Sequence, residues 1–351
     1  MVQNAVNGAL SYQVWDSSNF LLNLRFSDSF LNKTKKYPIY RDLRFAARID
    51  LEALLDELAL DDNNQPLRID SKSLIIESDG ALILCRGSLK KEYCSCYFSI
   101  WGKSVDDVEK IKKNILTKVD ENIIHEPMFS INWHFLTSKN EMESVNIEEL
   151  ANDVLLNEAY PDFNEGLIEF IDSYIRSKEA VLVLQGPPGT GKTRLIRAIL
   201  GRMSLHKGSN ASAVYTGDKK TMESDEIFVR FITGWEDAFV VEDADHMLKP
   251  RSEGNDNLHR FLTIADGVIR SQGRKIIFST NLPNVGDIDD ALIRPGRCFA
   301  RVSVRLLDLT EAMNLVTSLL KGQDATSGID ELKRSGKKYF SLADIYKAIA
   351  V

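Results

Sequence analysis

The segment GPPGTGKT, residues Gly186–Thr193, constrains the fold of this chain more than any other stretch. It matches the pattern G-x-x-x-x-G-K-[ST], with Gly186, Gly191, Lys192 and Thr193 at the fixed positions. The apolar run AVLVLQ precedes it and TRLIRAILGRM follows with helical spacing, which is the order of strand, loop and helix that this pattern requires. The sequence therefore predicts an α/β fold in which a buried strand ends at a glycine-rich loop and a helix begins.

A loop of this kind binds phosphate, because its glycines let backbone N–H groups wrap around phosphate oxygens and the next helix points its positive end at them. A lysine at the position of Lys192 reaches the β- and γ-phosphates of a nucleotide, and a hydroxyl at the position of Thr193 binds Mg²⁺. We therefore expect ATP and Mg²⁺ as cofactors. The expected nucleotide-binding residues are Gly186, Pro187, Pro188, Gly189, Thr190, Gly191, Lys192 and Thr193.

A second motif, FVVED, places two adjacent carboxylates after an apolar run. Residues Phe239–Val241 lead directly into Glu242 and Asp243. Hydrolysis of a nucleoside triphosphate needs an acidic residue near the Mg²⁺ and often a base that orients water. Together with the phosphate loop, this pair predicts an ATP hydrolase.

Two changes of pattern along the chain predict three domains. From about residue 148 onwards, apolar strands alternate with helices, which is typical of a parallel sheet covered by helices on both faces. After about residue 306 only helical segments remain, and SLADIYKAIAV begins with Ser341 and Asp344 at capping-box spacing. We therefore predict a mixed α/β N-terminal adaptor or oligomerisation domain (1–147), a P-loop ATPase core with a parallel sheet (148–305) and a small helical lid (306–351).

From about Asp162 to its C-terminus the chain resembles the AAA ATPases. The segment KIIFSTNLPN resembles the family's next core strand, which ends in a polar sensor residue, here Asn281. The segment DIDDALIRPGRCFARV resembles the stretch that carries the arginine fingers, which implies that role for Arg294 and Arg297. In this family such arginines reach the γ-phosphate of a neighbouring subunit, so the resemblance implies a homo-oligomeric ring, usually a hexamer.

The order of the two acids departs from the family, which usually has Asp first and Glu second. Aligned by the apolar run, Glu242 takes the Mg²⁺ position beside Thr193, and Asp243 takes the position of the base that activates water. Because neighbouring side chains on a strand point in opposite directions, we expect the two roles not to be interchangeable. Asp243 is one methylene shorter than the usual base, and a displacement of about 1 Å can cost about 10²-fold in rate, so slow hydrolysis is expected.

An alternative register would give Asp243 to the metal and leave Ala244 next, with no base directly following. The Glu-Asp order also resembles the branch of the family that includes the mitochondrial inner-membrane translocase of folded iron–sulfur protein, although this sequence shows no membrane anchor.

Three further segments depart from the AAA pattern. Where unfoldases of the family carry an aromatic pore residue, this chain has Lys220, Thr221 and Met222, which argues against threading of an extended peptide. KPRSEGNDN occupies the position of the second pore loop, as either a pore loop or a solvated loop. In YFSLADI, Leu342 replaces the glycine of the family's Ser-Gly-Ala-Asp lid signature, and we find no arginine or lysine sensor at the lid.

The formal net charge of −7 argues against a general attraction to nucleic acid or anionic lipid, and no apolar run is long enough to cross a membrane. Cys94 and Cys96 fit ordinary buried strand cysteines. We therefore expect a cytoplasmic ATP-hydrolysing remodeller or translocator of an unknown protein partner, chosen by the N-terminal domain. One alternative is a nucleic-acid motor or loader, for which Leu31–Arg44 is the best basic cluster. Another is a nucleotide-dependent switch or scaffold with little turnover.

Overall fold

The computed structural model divides the chain into two compact units, residues 1–125 and 126–351. The structure describes residues 37–60, 65–78, 80–90, 93–125, 128–137, 141–151, 155–250, 252, 255, 258–265, 273–321 and 324–349. Residues 31–36 of the basic cluster Leu31–Arg44 and much of KPRSEGNDN lie outside these residues.

The N-terminal unit is a five-stranded antiparallel sheet with two helices against one face, which confirms the mixed α/β prediction for this region. Its strand order is β1-β5-β4-β3-β2. The elements are β1 (Ile39–Ala47), α1 (Leu51–Ala59), β2 (Gln65–Asp70), β3 (Ser73–Glu77), β4 (Ala81–Leu89), β5 (Cys94–Gly102) and α2 (Val105–Val119). Leu51 and Leu55 of α1, Val108 and Ile115 of α2 and Phe98 of β5 are buried in one apolar cluster.

A side-chain cap fixes the start of α2, and the two cysteines lie where the sequence analysis expects them. The hydroxyl of Ser104 accepts a hydrogen bond from the backbone N–H of Asp107 at 3.2 Å and so caps α2. Cys94 and Cys96 are buried on the helix-facing side of the sheet, with their sulfur atoms 3.8 Å apart. Among the described residues no group of three or more His, Cys, Asp or Glu side chains could hold a metal ion. The cysteines therefore serve as core residues.

The second unit contains a seven-stranded sheet of order β12-β8-β11-β10-β9-β6-β7, which confirms the predicted parallel-sheet fold. Every neighbouring pair is parallel except β6 and β7. Its strands are β6 (Met128–Leu136), β7 (Met142–Leu150), β8 (Val181–Gln185), β9 (Ala211–Thr216), β10 (Ala238–Val241), β11 (Lys275–Thr280) and β12 (Cys298–Ser303). The helices of the core are α3 (Leu167–Arg176), α4 (Lys192–Lys207), α5 (Lys219–Glu223), α6 (Asp225–Thr233), α7 (Asp245–Leu248) and α8 (Leu258–Ala265). Two apolar clusters, one on each side of the sheet, fix these helices.

The division between the two compact units and the predicted domain boundary differ by the hairpin of β6 and β7, which belongs to the second unit. We placed the segment FSINWHFLT in the N-terminal domain, but it forms β6 and pairs in parallel with β9, from Phe129 beside Ala211 to Trp133 beside Tyr215. Phe129 is fully buried in the same core as α4. The second unit therefore begins at Glu126, upstream of the predicted boundary at 147, because local pattern cannot show which sheet a strand joins.

After β12 the chain forms a small, mostly helical subdomain. It contains β13 (Leu307–Asp308), α9 (Leu309–Leu320), α10 (Thr326–Arg334), β14 (Tyr339–Phe340) and α11 (Leu342–Ile349). The antiparallel pairing of β13 with β14 was not expected from the sequence, which predicted helices alone. No helix among the described residues is long and apolar enough to cross a membrane.

Candidate nucleotide site

The phosphate loop joins the end of β8 to the start of α4, as the sequence predicts. Gly186 passes so close to a neighbouring segment that a Cβ atom there would lie 2.0 Å from the carbonyl oxygen of Val304. Gly191 has a left-handed backbone, with φ of 93°, and a Cβ atom there would lie 2.8 Å from the hydroxyl of Tyr160. At both positions only glycine allows the loop to take this path.

Lys192 is held at this loop by its own hydrogen bonds. Its Nζ donates to the backbone oxygens of Gly186 at 2.7 Å and Pro187 at 3.0 Å, and to Oδ1 of Asn281 at 2.8 Å. Burial lowers the pKa of Lys192, and the carboxylates described next oppose that shift. The ammonium group is thus held at the loop, where the oxygens of a bound phosphate would be its further acceptors.

Glu242 lies beside Thr193, the pair predicted to bind Mg²⁺. The hydroxyl of Thr193 donates to Oε1 of Glu242 at 2.5 Å, and the hydroxyl of Tyr215 donates to Oε2 at 2.6 Å. Hydroxyl and carboxylate oxygens are the ligands that Mg²⁺ prefers. The residues present therefore fit this metal ion, with Thr193 and Glu242 as the side chains that would hold it.

Asp243 turns towards Asn281 rather than towards Thr193. Its Oδ1 accepts a hydrogen bond from Nδ2 of Asn281 at 3.0 Å, and its backbone N–H donates to the hydroxyl of Ser279 at 3.2 Å. Since Asn281 also contacts Lys192, this amide bridges the phosphate-loop lysine and the second acid. The arrangement gives the two adjacent acids different partners.

Strand alternation does not explain how the two acids are separated. Strand β10 ends at Val241, before either acid, and Asp243 has a left-handed backbone with φ of 50°. This conformation is uncommon for residues other than glycine, although aspartate tolerates it better than most. The turn lets Glu242 and Asp243 line the same cleft, whereas Ala244 is buried in the core.

These side chains line one open cleft of about 590 Å³. Its lining residues are Pro188, Gly189, Gly191, Lys192, Thr193, Arg194, Glu242, Asp243, Ser279, Asn281, Leu342 and Tyr346. The phosphate loop, the acidic motif, the end of β11 and the C-terminal subdomain all contribute. The structure thus brings together the predicted loop, Glu242, Asp243 and Asn281.

The C-terminal subdomain packs directly on the phosphate loop. Ser341 and Asp344 form the predicted cap, because the Ser341 hydroxyl accepts from the Asp344 backbone N–H at 3.1 Å. Leu342, in place of the family's glycine, is almost fully buried. Its Cδ1 would lie 2.5 Å from a Cβ atom at Gly191. Tyr346 completes this wall, with the guanidinium of Arg194 4.7 Å from its ring centre.

The predicted arginine fingers lie away from this cleft. Arg294 is exposed, and Arg297 is half-buried with its Nη1 2.7 Å from the backbone oxygen of Ala291. Neither side chain lines the cleft of its own chain. The assignment of Arg294 and Arg297 as arginine fingers therefore stays a prediction.

Sequence reasoning missed three polar residues of the site. The hydroxyl of Tyr215 donates to Glu242, and the hydroxyl of Ser279 accepts from the backbone N–H of Asp243. Oδ1 of Asp245 accepts from the Thr280 hydroxyl at 2.6 Å and from the Asn281 backbone N–H at 2.8 Å. Tyr215 and Ser279 each lie one residue before the C-terminal end of a central strand, and Asp245 lies four residues after the end of β10. Placement near the C-terminal ends of the central strands is the signal that could have found them.

The segment opposite the usual pore loop folds onto the protein. Asp218 caps α5 by accepting from the Thr221 backbone N–H at 2.9 Å. Thr221 and Met222 are fully buried, and Lys220 alone of the three is exposed. The structure therefore shows no projecting aromatic residue among the three positions.

Comparison with known proteins agrees with this geometry. Residues 182–306 match the model of the ATPase family associated with various cellular activities (AAA). The chain is 31% identical to the ATP-dependent zinc metalloprotease YME1 homolog of Caenorhabditis elegans over 47% of this chain and 24% of that protein. It is 30% identical to an AAA-ATPase of Arabidopsis thaliana over 47% of this chain and 40% of that protein. It is 27% identical to the peroxisomal ATPase PEX1 of Dictyostelium discoideum over 50% of this chain and 15% of that protein.

The chain spans less than half the length of each of these relatives. The matched segment contains the phosphate loop from Gly186, both acids, Asn281 and both arginines. The chain therefore carries an AAA ATPase domain.

Proposed function

We propose that this chain is a Mg²⁺-dependent ATP hydrolase that works as a homo-oligomeric ring and remodels or translocates a protein partner. The observation that carries the proposal is the pairing of Thr193 with Glu242 and of Asn281 with Asp243 in one cleft. These pairs supply separate places for a metal ion and for a water molecule beside the phosphate-loop lysine. This division of roles is what phosphoryl transfer to water requires.

The residues of the cleft divide phosphate binding, metal binding and proton transfer among them. The backbone N–H groups of the loop and the ammonium of Lys192 bind the phosphates. Thr193 and Glu242 would hold Mg²⁺, which supplies charge neutralisation on the β- and γ-phosphate oxygens when bound. Asp243 accepts a proton from the attacking water, and Asn281 fixes the orientation of that carboxylate.

The arginine fingers complete the site from a second copy of the chain. Arg294 is exposed, so it is available to a neighbouring molecule. A guanidinium supplied in trans stabilises the charge that develops on the transferred phosphoryl group. AAA proteins typically form hexameric rings, and we extend that arrangement to this chain.

A protein partner is favoured over nucleic acid. Two of the relatives are named as an ATP-dependent zinc metalloprotease and a peroxisomal ATPase, neither of which names a nucleic acid. The net charge of −7 opposes electrostatic attraction to a polyanion. Because Thr221 and Met222 are buried, we propose that partners are moved or remodelled without a projecting aromatic residue at this position. The N-terminal unit selects the partner.

The test is capture of the partner by a variant that binds ATP without hydrolysing it. Asp243→Asn, held with ATP and Mg²⁺, should retain a specific protein that Lys192→Ala does not retain under the same conditions. Nuclease-sensitive material in its place would favour the nucleic-acid motor. Wild-type turnover that stays negligible with every retained partner would favour the switch or scaffold.

A further inference from the structure

Glu242 has a second partner that its predicted role does not require. One carboxylate oxygen accepts from Thr193, and the other accepts from the hydroxyl of Tyr215 at 2.6 Å. Tyr215 lies on β9, the strand next to β10, so its ring reaches Glu242 from the side away from the phosphate loop. Both oxygens of the carboxylate are thereby fixed.

In this hydrogen bond Tyr215 is the donor, because an ionised carboxylate can only accept. The distance of 2.6 Å is that of a hydrogen bond from a hydroxyl to a carboxylate, which is of the charge-assisted kind. Removing the hydroxyl would leave this carboxylate oxygen without that donor.

The hairpin of β6 and β7 supports the Tyr215 ring. The ring of Trp133, on β6, meets it edge-on with centroids 5.8 Å apart and an interplanar angle of 90°. The two residues are also register partners in the parallel pairing of β6 with β9. Trp133 in turn lies opposite Val145 of β7. The hairpin therefore supplies an aromatic contact to the ring of Tyr215.

We propose that Tyr215 is a positioning residue for the metal-site carboxylate and that Trp133 holds Tyr215 in place. The proposal rests on the function proposed above, in which Glu242 binds Mg²⁺. A glutamate at this position has one more rotatable bond than the family's usual aspartate. Fixing its second oxygen selects the rotamer in which the first oxygen faces Thr193.

The proposal is tested by metal affinity as well as by activity. Mn²⁺, a paramagnetic stand-in for Mg²⁺, is titrated into protein with ADP, and free Mn²⁺ is followed by electron paramagnetic resonance. Tyr215→Phe should weaken Mn²⁺ binding by about tenfold, the effect of losing one hydrogen bond to a charged group. It should also raise the Mg²⁺ concentration for half-maximal hydrolysis, with ADP binding in the absence of metal unchanged. The matched control is Tyr339→Phe, a half-exposed tyrosine of β14.

A second variant separates positioning from simple packing. In a Glu242→Gln background, Tyr215→Phe should have little further effect on Mn²⁺ affinity, since the charged acceptor is gone. Trp133→Leu should weaken Mn²⁺ binding less than Tyr215→Phe, and combining the two should add nothing. Trp133→Leu also provides the measurement if Tyr215→Phe does not fold.

Failure of the positioning role and failure of the metal site give different results. If Glu242→Gln weakens Mn²⁺ binding but Tyr215→Phe behaves like Tyr339→Phe, Glu242 is a ligand and the positioning role is wrong. If Glu242→Gln leaves Mn²⁺ affinity unchanged, the proposed metal site itself is wrong, and the positioning role is lost with it.

Discussion

Two cations assigned to the γ-phosphate lie in opposite environments. Lys192 is 8% exposed, and three oxygen acceptors within its own chain hold its ammonium group. Arg294 lies on the surface and does not line the cleft. The difference shows which part of the site one chain can build. Groups fixed by burial and hydrogen bonds are preorganised in the monomer, whereas Arg294 needs a second molecule to meet a nucleotide.

The largest expected effect on ATP binding and hydrolysis comes from changing Lys192, the preorganised cation. Lys192→Ala should abolish ATP binding and lower hydrolysis by at least about 10³-fold, because the loop loses its only side-chain ammonium. Nucleotide titration by fluorescence and steady-state turnover measure the two losses. Lys207→Ala, at the exposed end of the same helix, is the control and should retain both. Normal hydrolysis by Lys192→Ala would overturn the assignment of the site.

Removing the side chain of Arg294 tests whether the exposed cation acts in the site of a neighbouring subunit. Arg294→Ala should bind ATP normally but lower kcat by about 10³-fold, as expected of an arginine finger. Because the finger acts in a neighbouring subunit, mixing Arg294→Ala with Lys192→Ala protein should restore part of the activity. In such a mixture some sites combine an intact loop with an intact arginine. Turnover of the mixture that equals the average of its components would place Arg294 outside the active site.

The next test concerns the two acids, whose roles follow from their different partners. Asp243→Asn should retain ATP and lower kcat by about 10²-fold or more, because the water loses its base. Glu242→Gln should instead raise the Mg²⁺ concentration needed for activity. Asp290→Asn, an exposed acid after β11, should change neither. Reversed phenotypes for the first two variants would restore the alternative register, in which Asp243 binds the metal.

Motifs with strict spacing predicted the site better than local patterns predicted the fold around it. Loop glycines, Lys192 and Thr193 work only at fixed separations, so the sequence alone placed them correctly beside the acids. The partners of the hairpin could not be predicted, because β6 has an apolar pattern that suits either sheet. Tyr215 was missed for a related reason. Its role depends on Glu242, which directly follows a neighbouring strand that is remote in sequence. It also depends on the turn at Asp243, whose left-handed backbone no local pattern predicted.

The buried side chains of His134 and Lys192 differ in their hydrogen bonding. His134, next to Trp133 on β6, is fully buried, and neither ring nitrogen has a hydrogen-bond partner among the described residues. Burial, with a smaller contribution from the charge of Arg230, lowers the pKa of His134 from 6.5 to about 4. Three oxygen acceptors surround the ammonium group of Lys192, whereas the described residues offer the imidazole of His134 none.

This difference predicts a modest dependence of stability on pH. Since the folded-state pKa of His134 is depressed, the unfolded chain takes up the proton first as pH falls below about 6.5. Stability is therefore constant above that pH and declines towards pH 4. Between pH 7 and pH 5 the free energy of unfolding should fall by about 1 to 2 kcal/mol from this group. Urea unfolding of wild type and His134→Leu at both pH values measures it, because the variant should lose this share of the decline. His125→Asn, which changes an exposed histidine, should keep the wild-type slope. An equal slope for His134→Leu and wild type would show that the imidazole titrates normally and that its burial is not maintained in solution.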